Sequence, residues 1–140
     1  MIEHAWTVLC DKVLVDEETQ NISLDVIDQL TALVAPIPAG GAVLIPNRLQ
    51  IVSLWYRRDP AIASRQRARV RMIDPDDRQL GEVPVDLDLT STERLRTRGM
   101  LSGVPVTKSG WYHFIVEVEE QGAWKVVANV PLQVVVTESN

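Results

Sequence analysis

Arginine recurs at every second position in two stretches of the chain, a spacing that could build an anion-binding surface. The first stretch puts four side chains on one face of a predicted strand: Arg65, Arg67, Arg69 and Arg71. The second puts three on one face of another: Arg94, Arg96 and Arg98. Guanidinium groups bind phosphate and carboxylate bidentately. If the two strands are neighbours, their arginines form one cationic band for a small anionic ligand.

The alternative is that these arginines pair with acidic side chains across the sheet. Glu82, Asp86 and Asp88 alternate along the next predicted strand as the arginines do. Opposite charges on neighbouring strands stabilise a solvated sheet face. We favour this pairing over the binding band.

Three closely spaced carboxylates could in principle bind Ca²⁺: Asp74, Asp76 and Asp77. Asp-Pro-Asp-Asp is also ordinary turn chemistry, and no glycine or more distant glutamate completes a calcium loop. The chain has a single cysteine, which excludes a cysteine-based zinc site. We therefore predict a turn here, no metal site and no cofactor.

Catalytic residue types are few. The chain contains two histidines, His4 and His113, and one cysteine, Cys10. It lacks the His-x-x-x-His, Gly-x-Ser-x-Gly and phosphate-loop motifs. A dyad of Cys10 with either histidine is the enzymatic alternative, but a thiol in an apolar strand is usually a small hydrophobe. We predict no catalytic residue.

Charge is unevenly distributed along these 140 residues, whose net charge is −5. Residues 1–46 hold one lysine and seven acids, whereas residues 47–98 hold eleven arginines and eight acids. The acidic total argues against nucleic-acid binding. No basic leader or apolar run long enough to span a bilayer is present. We expect a cytoplasmic protein that does not enter a membrane.

The clearest structural element is a hairpin near the C-terminus. In one strand, inward apolar residues alternate with outward polar ones. The inward residues are Tyr112, Phe114, Val116 and Val118. A second apolar strand begins at Trp124. Since Gly122 tolerates the left-handed conformation, we predict a three-residue loop over 120–122 with Val118 opposite Trp124.

Further short strands are predicted over 5–15, 22–26, 48–58, 65–73, 79–89 and 94–101. The first two form a hairpin with a bulge at Asp11-Lys12. The 48–58 strand is apolar on both faces, so its inward set stays open. Residues 1–140 are predicted to form one domain, an all-β, immunoglobulin-like or related antiparallel sandwich of about seven to nine strands.

The segment Ser109-Gly110-Trp111-Tyr112-His113-Phe114 resembles the F strand of immunoglobulin-like sandwiches. The resemblance places Tyr112 at the tyrosine corner, which implies a hydrogen bond from its hydroxyl to the backbone a few residues upstream. Phe114 stands where antibody domains have their second cysteine, so no inter-sheet disulfide forms there.

Most of the chain resembles a family of small bacterial β-sandwich proteins of unknown function. Three features carry the resemblance: an N-terminal hairpin, the Arg-Val-Arg-x-x-Asp-x-Asp segment at 69–76, and the Gly-x-Tyr-x-Phe segment at 110–114. The resemblance implies the fold. It brings no activity, cofactor or catalytic residue.

Three apolar residues are predicted to lie on the outer face of the C-terminal hairpin: Trp111, Ile115 and Val127. Two interpretations are equally favoured: a loop of the same chain covers them, or they form a subunit interface. We therefore expect a non-enzymatic interaction or accessory module that acts as a homodimer or binds an unknown protein. A small anionic-ligand binder that uses the arginines is the alternative, and an enzyme comes third.

Overall fold

The computed structural model describes residues 1–139, and every regular element in that range is a β-strand. Eleven strands follow one another: β1 (Ile2–Val15), β2 (Ile22–Val26), β3 (Gln29–Val34), β4 (Val43–Ile45), β5 (Leu49–Arg57), β6 (Ser64–Ile73), β7 (Gln79–Leu89), β8 (Arg94–Leu101), β9 (Val104–Val106), β10 (Gly110–Glu120) and β11 (Ala123–Glu138).

Nine strands form two sheets. Sheet A has the order β2-β1-β5-β8, and sheet B has the order β3-β11-β10-β6-β7. All pairs in them are antiparallel except β3 with β11, which is parallel. The short pair β4 and β9 forms a third sheet. The predicted all-β sandwich is confirmed, although β3, β4 and β9 were not predicted.

The hydrophobic core lies between sheets A and B. Sheet A contributes Leu9, Ile51 and Trp55, and sheet B contributes residues such as Phe114 and Leu132, all of them buried. The question left open for the 48–58 strand is thereby answered, because Ile51 and Trp55 face inward. Strand β6 follows its predicted alternation, with its apolar residues in the core and its arginines outside: Ala68, Val70 and Met72 are inward.

Residues on the outer face of sheet A are also buried. Cys10, Gln50 and Val52 are all at most 5% exposed, although they lie on the face of the sheet opposite to that of Ile51. The predicted bulge is confirmed, because the register of β1 with β2 shifts between Cys10 and Val13. Bulges bend the strand that carries them. The tip of the β1–β2 hairpin lines a depression together with β8, at the far edge of sheet A, so we infer that the hairpin lies back over this face and buries it.

The predicted register of the C-terminal hairpin is wrong. Glu120 pairs with Ala123 and Val118 with Lys125, so the loop is the two-residue pair Gln121-Gly122. Both loop residues have positive φ, +51° and +80°. Two such residues define the type I′ turn, whose twist matches that of the strands. The positive φ predicted for Gly122 is confirmed.

A bulge at Val127 restores the inner face of the hairpin. Glu117 pairs with Val126 but Val116 pairs with Ala128, so Val127 has no partner opposite it. The extra residue shifts the side-chain parity of β11 by one. Beyond the bulge, the β11 residues that pair with inward residues of β10 face the core as well. Before the bulge, Trp124 lies on the outer face.

The tyrosine corner is confirmed in detail. The Tyr112 hydroxyl donates to Lys108 O at 2.7 Å and accepts from the backbone amides of Thr107 at 2.9 Å and Lys108 at 3.2 Å. The side chain is fully buried. The corner also reaches Asp74, whose Oδ2 accepts from the Thr107 hydroxyl at 2.8 Å. It thus joins the turn before β7 to the start of β10.

We expect Tyr112→Phe to lower the free energy of unfolding by about 2 kcal/mol, because two partly buried amides lose their acceptor and the Tyr112 donor is removed. Chemical denaturation measures the change. Tyr56→Phe is the matched control, since Tyr56 is exposed and its hydroxyl makes no hydrogen bond within residues 1–139. Equal stability of the two variants would contradict the structural role of the corner.

Candidate functional site

The four arginines of β6 lie on the outer face of sheet B, and each contacts a carboxylate. Arg65 binds Asp86 through Nε at 3.3 Å and Nη2 at 2.7 Å. Arg69 binds Glu82 at 3.3 Å and Glu117 at 2.9 Å, Arg71 binds Glu117 at 2.6 Å, and Arg67 binds Glu119. Cross-strand pairing, the favoured alternative, is found for these four arginines, with Glu82 and Asp86 among the partners. The third expected partner, Asp88, instead accepts from Thr90. Glu117 and Glu119 of β10 are partners that the sequence analysis did not identify.

The ion pairs of the four β6 arginines with their carboxylates form a ladder across sheet B. Glu117 lies at the centre of this ladder. Its Oε1 accepts from the Nε atoms of both Arg69 and Arg71, and the residue is buried. Burial alone would raise the pKa of the Glu117 carboxyl, but the hydrogen bonds and charges of Arg71 and Arg69 outweigh it and hold the pKa below its ordinary value. The carboxylate therefore stays ionised and is shared by the two arginines.

Trp124 of β11 packs against the ladder at Arg69. The guanidinium carbon of Arg69 lies 4.1 Å from the centroid of the Trp124 ring, a cation–π contact. Arg65, Arg67, Pro84 and Trp124 line a surface depression of about 520 Å³. Because its arginines already have carboxylate partners, this depression offers a free anion no uncompensated positive charge.

The arginines of β8 are separate from this ladder, because β8 belongs to sheet A. The seven arginines therefore do not form the single band that adjacent strands would have built. Arg94, Arg96 and Arg98 lie opposite Tyr56, Leu54 and Val52 of β5, on the outer face. None of the three has a carboxylate within 4.0 Å among residues 1–139.

The tip of the β1–β2 hairpin lies beside β8. Side chains from both elements line one depression of about 430 Å³: Thr19, Gln20 and Asn21 from the tip, and Thr92, Arg94 and Arg96 from β8 and its approach. Strand β2 is the opposite edge of sheet A from β8. The tip therefore reaches β8 across the outer face of the sheet, in agreement with the burial of Cys10 and Val52 beneath the hairpin.

The predicted outer-face cluster of Trp111, Ile115 and Val127 is not formed. Trp111 is 52% exposed and Ile115 is half-buried beside Arg71 on the outer face. Val127 is the bulged residue and packs against the core instead. The bulge changed its direction, and alternation alone could not have predicted that. Trp111 remains as an exposed aromatic side chain.

The histidines and the cysteine are not brought together. His4 Nε2 and Thr7 Oγ1 are 2.7 Å apart, and His113 Nδ1 and Asn129 Oδ1 are 2.9 Å apart. Cys10 follows His4 by six residues on the same extended strand, a distance of about 20 Å. His113 lies in sheet B. Neither Cys–His dyad is present among the described residues.

Asp74 serves the turn for which its motif was predicted. Its Oδ1 accepts from the amides of Asp76 at 2.9 Å and Arg78 at 2.8 Å. Within residues 1–139, no group of three or more His, Cys, Asp or Glu side chains is placed to hold a metal ion. Over the same range, no helix is long and apolar enough to cross a membrane.

No protein-family model and no curated protein matches this chain. Among solved structures, the C-terminal domain of Wzt is 11% identical over 99% of this chain and 75% of that one, with a TM-score of 0.53. An immunoglobulin-like protein from Pseudomonas aeruginosa is 10% identical over 96% of both chains, with a TM-score of 0.45. Latent PorU from Porphyromonas gingivalis is 20% identical over 69% of this chain and 9% of its own length, with a TM-score of 0.45. The similarity to the Wzt domain supports the sandwich fold, whereas the resemblance to an uncharacterised bacterial family has no support from a family model.

We expect Glu117→Gln to destabilise the protein by about 3 kcal/mol at neutral pH, because two partly buried arginines lose their shared anion. The pKa of Glu117 is lowered in the folded state. Its contribution is therefore complete above the pKa of the unfolded chain and is lost as pH falls through the folded value. Stability of the variant should fall less than that of the wild type over this acidic range, as measured by urea denaturation at several pH values.

Glu119→Gln is the matched control for this effect. Glu119 pairs with Arg67, whose side chain is largely exposed, and exposed ion pairs contribute less than about 1 kcal/mol. Equal losses in the two variants would show that Glu117 is not the centre of the ladder.

Proposed function

We propose that this protein is a non-enzymatic interaction module that self-associates through sheet B. The observation that carries the proposal is a diagonal of exposed apolar side chains on three adjacent strands: Trp111 of β10, Val135 of β11 and Leu33 of β3, exposed by 52%, 38% and 72%. Exposed apolar side chains that adjoin one another often mark an interaction surface.

The strand register supports the existence of this diagonal. Trp111 lies opposite Gln133 of β11, and Val135 is two residues further along the same face. Val135 lies opposite Thr31 of β3, and Leu33 is again two residues further. Side chains two residues apart on a strand point to the same face. The diagonal therefore runs across the outer face and ends at β3.

The free edge of β3 supports self-association. Strand β3 pairs with β11 on one side, and no described strand pairs with it on the other. Its sequence, Gln-Leu-Thr-Ala-Leu-Val, contains no charge and no proline. The opposite edge strand, β7, contains Pro84 and three acidic residues. Charges and proline prevent edge-to-edge pairing, so β7 is protected in this way and β3 is not.

A second copy of the chain fits this edge through a two-fold axis. Antiparallel pairing of β3 with its copy, centred on Thr31 or Ala32, keeps inward residues opposite inward residues. Each copy then offers the same surface to the other, as closed two-fold association requires. A stable interface buries about 800 Å² on each partner. Edge pairing supplies its backbone contacts, and it brings Leu33 of each copy beside β3 of the other, where the two diagonals meet.

We expect the wild type to sediment as a dimer at micromolar concentration and Leu33→Lys to sediment as a monomer, because the lysine places a charge in the interface. Leu33 is mostly exposed in the single chain, so the melting temperature of the dilute protein should stay unchanged. Met100→Lys is the control, since Met100 is 57% exposed on β8, which packs beside β7 at the side of the sandwich away from β3.

Hydrogen exchange tests the strand pairing itself. The amides of β3 should become more protected as wild-type concentration rises, and those of the Leu33→Lys variant should not. A wild type that is monomeric at these concentrations would contradict self-association. A dimer without concentration-dependent protection of β3 would contradict the edge.

A further inference from the structure

We propose that the depression between the β1–β2 hairpin tip and β8 binds the phosphate group of a small molecule. The site is formed by Arg94 and Arg96 on one side and by Thr19, Gln20 and Asn21 on the other. It lies on the outer face of sheet A. It is therefore independent of the self-association proposed for sheet B.

The absence of a carboxylate partner among residues 1–139 distinguishes the β8 arginines from those of β6. Every arginine of β6 contacts a carboxylate, whereas Arg94 and Arg96 contact none within residues 1–139. The Nε atom of Arg96 is buried and has no hydrogen-bond partner in the described structure. A buried donor of a charged group without an acceptor is costly. An anion bound to the same guanidinium would compensate its charge.

The spacing of the two arginines favours phosphate over carboxylate. Arg94 and Arg96 are two residues apart on one strand and project from the same face, about 7 Å apart at their Cα atoms. Flexible side chains at this separation can converge on one group that has several acceptor oxygens. A phosphate monoester offers three such oxygens and nearly two negative charges, whereas a carboxylate offers two oxygens and one charge.

The hairpin tip adds neutral donors in a fixed turn. Asp16 Oδ1 accepts from the amides of Glu18 and Thr19, and Asp16 O accepts from the amide of Gln20, each at 2.8–2.9 Å. The Thr19 hydroxyl oxygen accepts from the Asn21 amide at 3.2 Å. The side-chain amides of Gln20 and Asn21 line the depression and supply its neutral donors. Because the turn is held before binding, little conformational entropy is lost when a ligand enters.

The acidic side chains of the tip limit the affinity. Asp16, Glu17 and Glu18 precede Thr19 directly, and none of them contacts Arg94 or Arg96. Their negative charge repels an approaching anion over a distance set by the ionic strength. Phosphate binding is therefore of modest affinity and requires the direct guanidinium contacts.

The test is a titration of the 140-residue chain with inorganic phosphate and with O-phospho-L-serine, followed by amide NMR shifts at constant ionic strength. Both ligands should shift resonances of residues 19–21 and 92–96. We expect Arg94→Gln/Arg96→Gln to weaken binding at least about tenfold, because two charge-assisted contacts are lost. Malonate should bind more weakly than phosphate.

Arg65→Gln/Arg67→Gln is the matched control, because it removes the same charge from paired arginines in the other sheet. It should bind phosphate as the wild type does. Equal weakening in both double variants would show a general charge effect and overturn the proposal. Stronger binding of malonate than of phosphate would also overturn it. So would the absence of NMR shifts at residues 19–21 and 92–96 at a ligand concentration of about 10 mM. The NMR spectrum of each variant reports whether it is folded.

Discussion

The burial of one face of β6 determines where the charges of this protein lie. Ala68, Val70 and Met72 fill the interior of the sandwich, and strand geometry then sends every intervening side chain outward. Four arginines are thereby placed side by side on one surface. Like charges at this separation repel one another. Neighbouring strands must supply anions if β6 is to occupy an inner position of sheet B.

Strand β10 supplies the most important of these anions. Tyr112, Phe114 and Val116 bury its inner face, which directs Glu117 outward between Arg69 and Arg71. A carboxylate in that position is desolvated, yet it accepts from two guanidinium groups. The same strand anchors the tyrosine corner through Tyr112. Core packing, charge compensation and attachment of the loop before β10 therefore all depend on strand β10. Its alternation puts the core residues and Tyr112 on one face and Glu117 on the other.

Local alternation predicted much of this arrangement. It predicted which residues of β6 and β10 are buried and the cross-strand pairing of the β6 arginines, whereas the corner at Tyr112 was predicted from the resemblance to immunoglobulin-like F strands. It could not predict that β6 and β8 belong to different sheets, because strand order depends on contacts distant in sequence. The seven arginines therefore lie on two separate surfaces and not in one band. One of these is neutralised by β7 and β10, and the other faces the β1–β2 hairpin.

Small departures from regular strands explain the remaining errors. In the C-terminal hairpin, Gln121 adopts positive φ as Gly122 does, so the loop is one residue shorter than the glycine alone suggested. The bulge at Val127 then compensates for the shift. Two local irregularities that cancel each other leave the inner face of the strand intact. They nevertheless place Trp124 against Arg69 and pack Val127 against the core.

The topology also relates the two proposed surfaces. Strand β8 packs beside β7, at the edge of the sandwich opposite β3. A two-fold dimer that pairs β3 with its copy would extend sheet B across the axis and leave both β8 strands at the outer ends. The phosphate sites of such a dimer would face solvent, far from the interface. Self-association would thus leave both anion sites accessible, and the dimer would present two identical binding surfaces to a ligand or partner that carries more than one phosphate group.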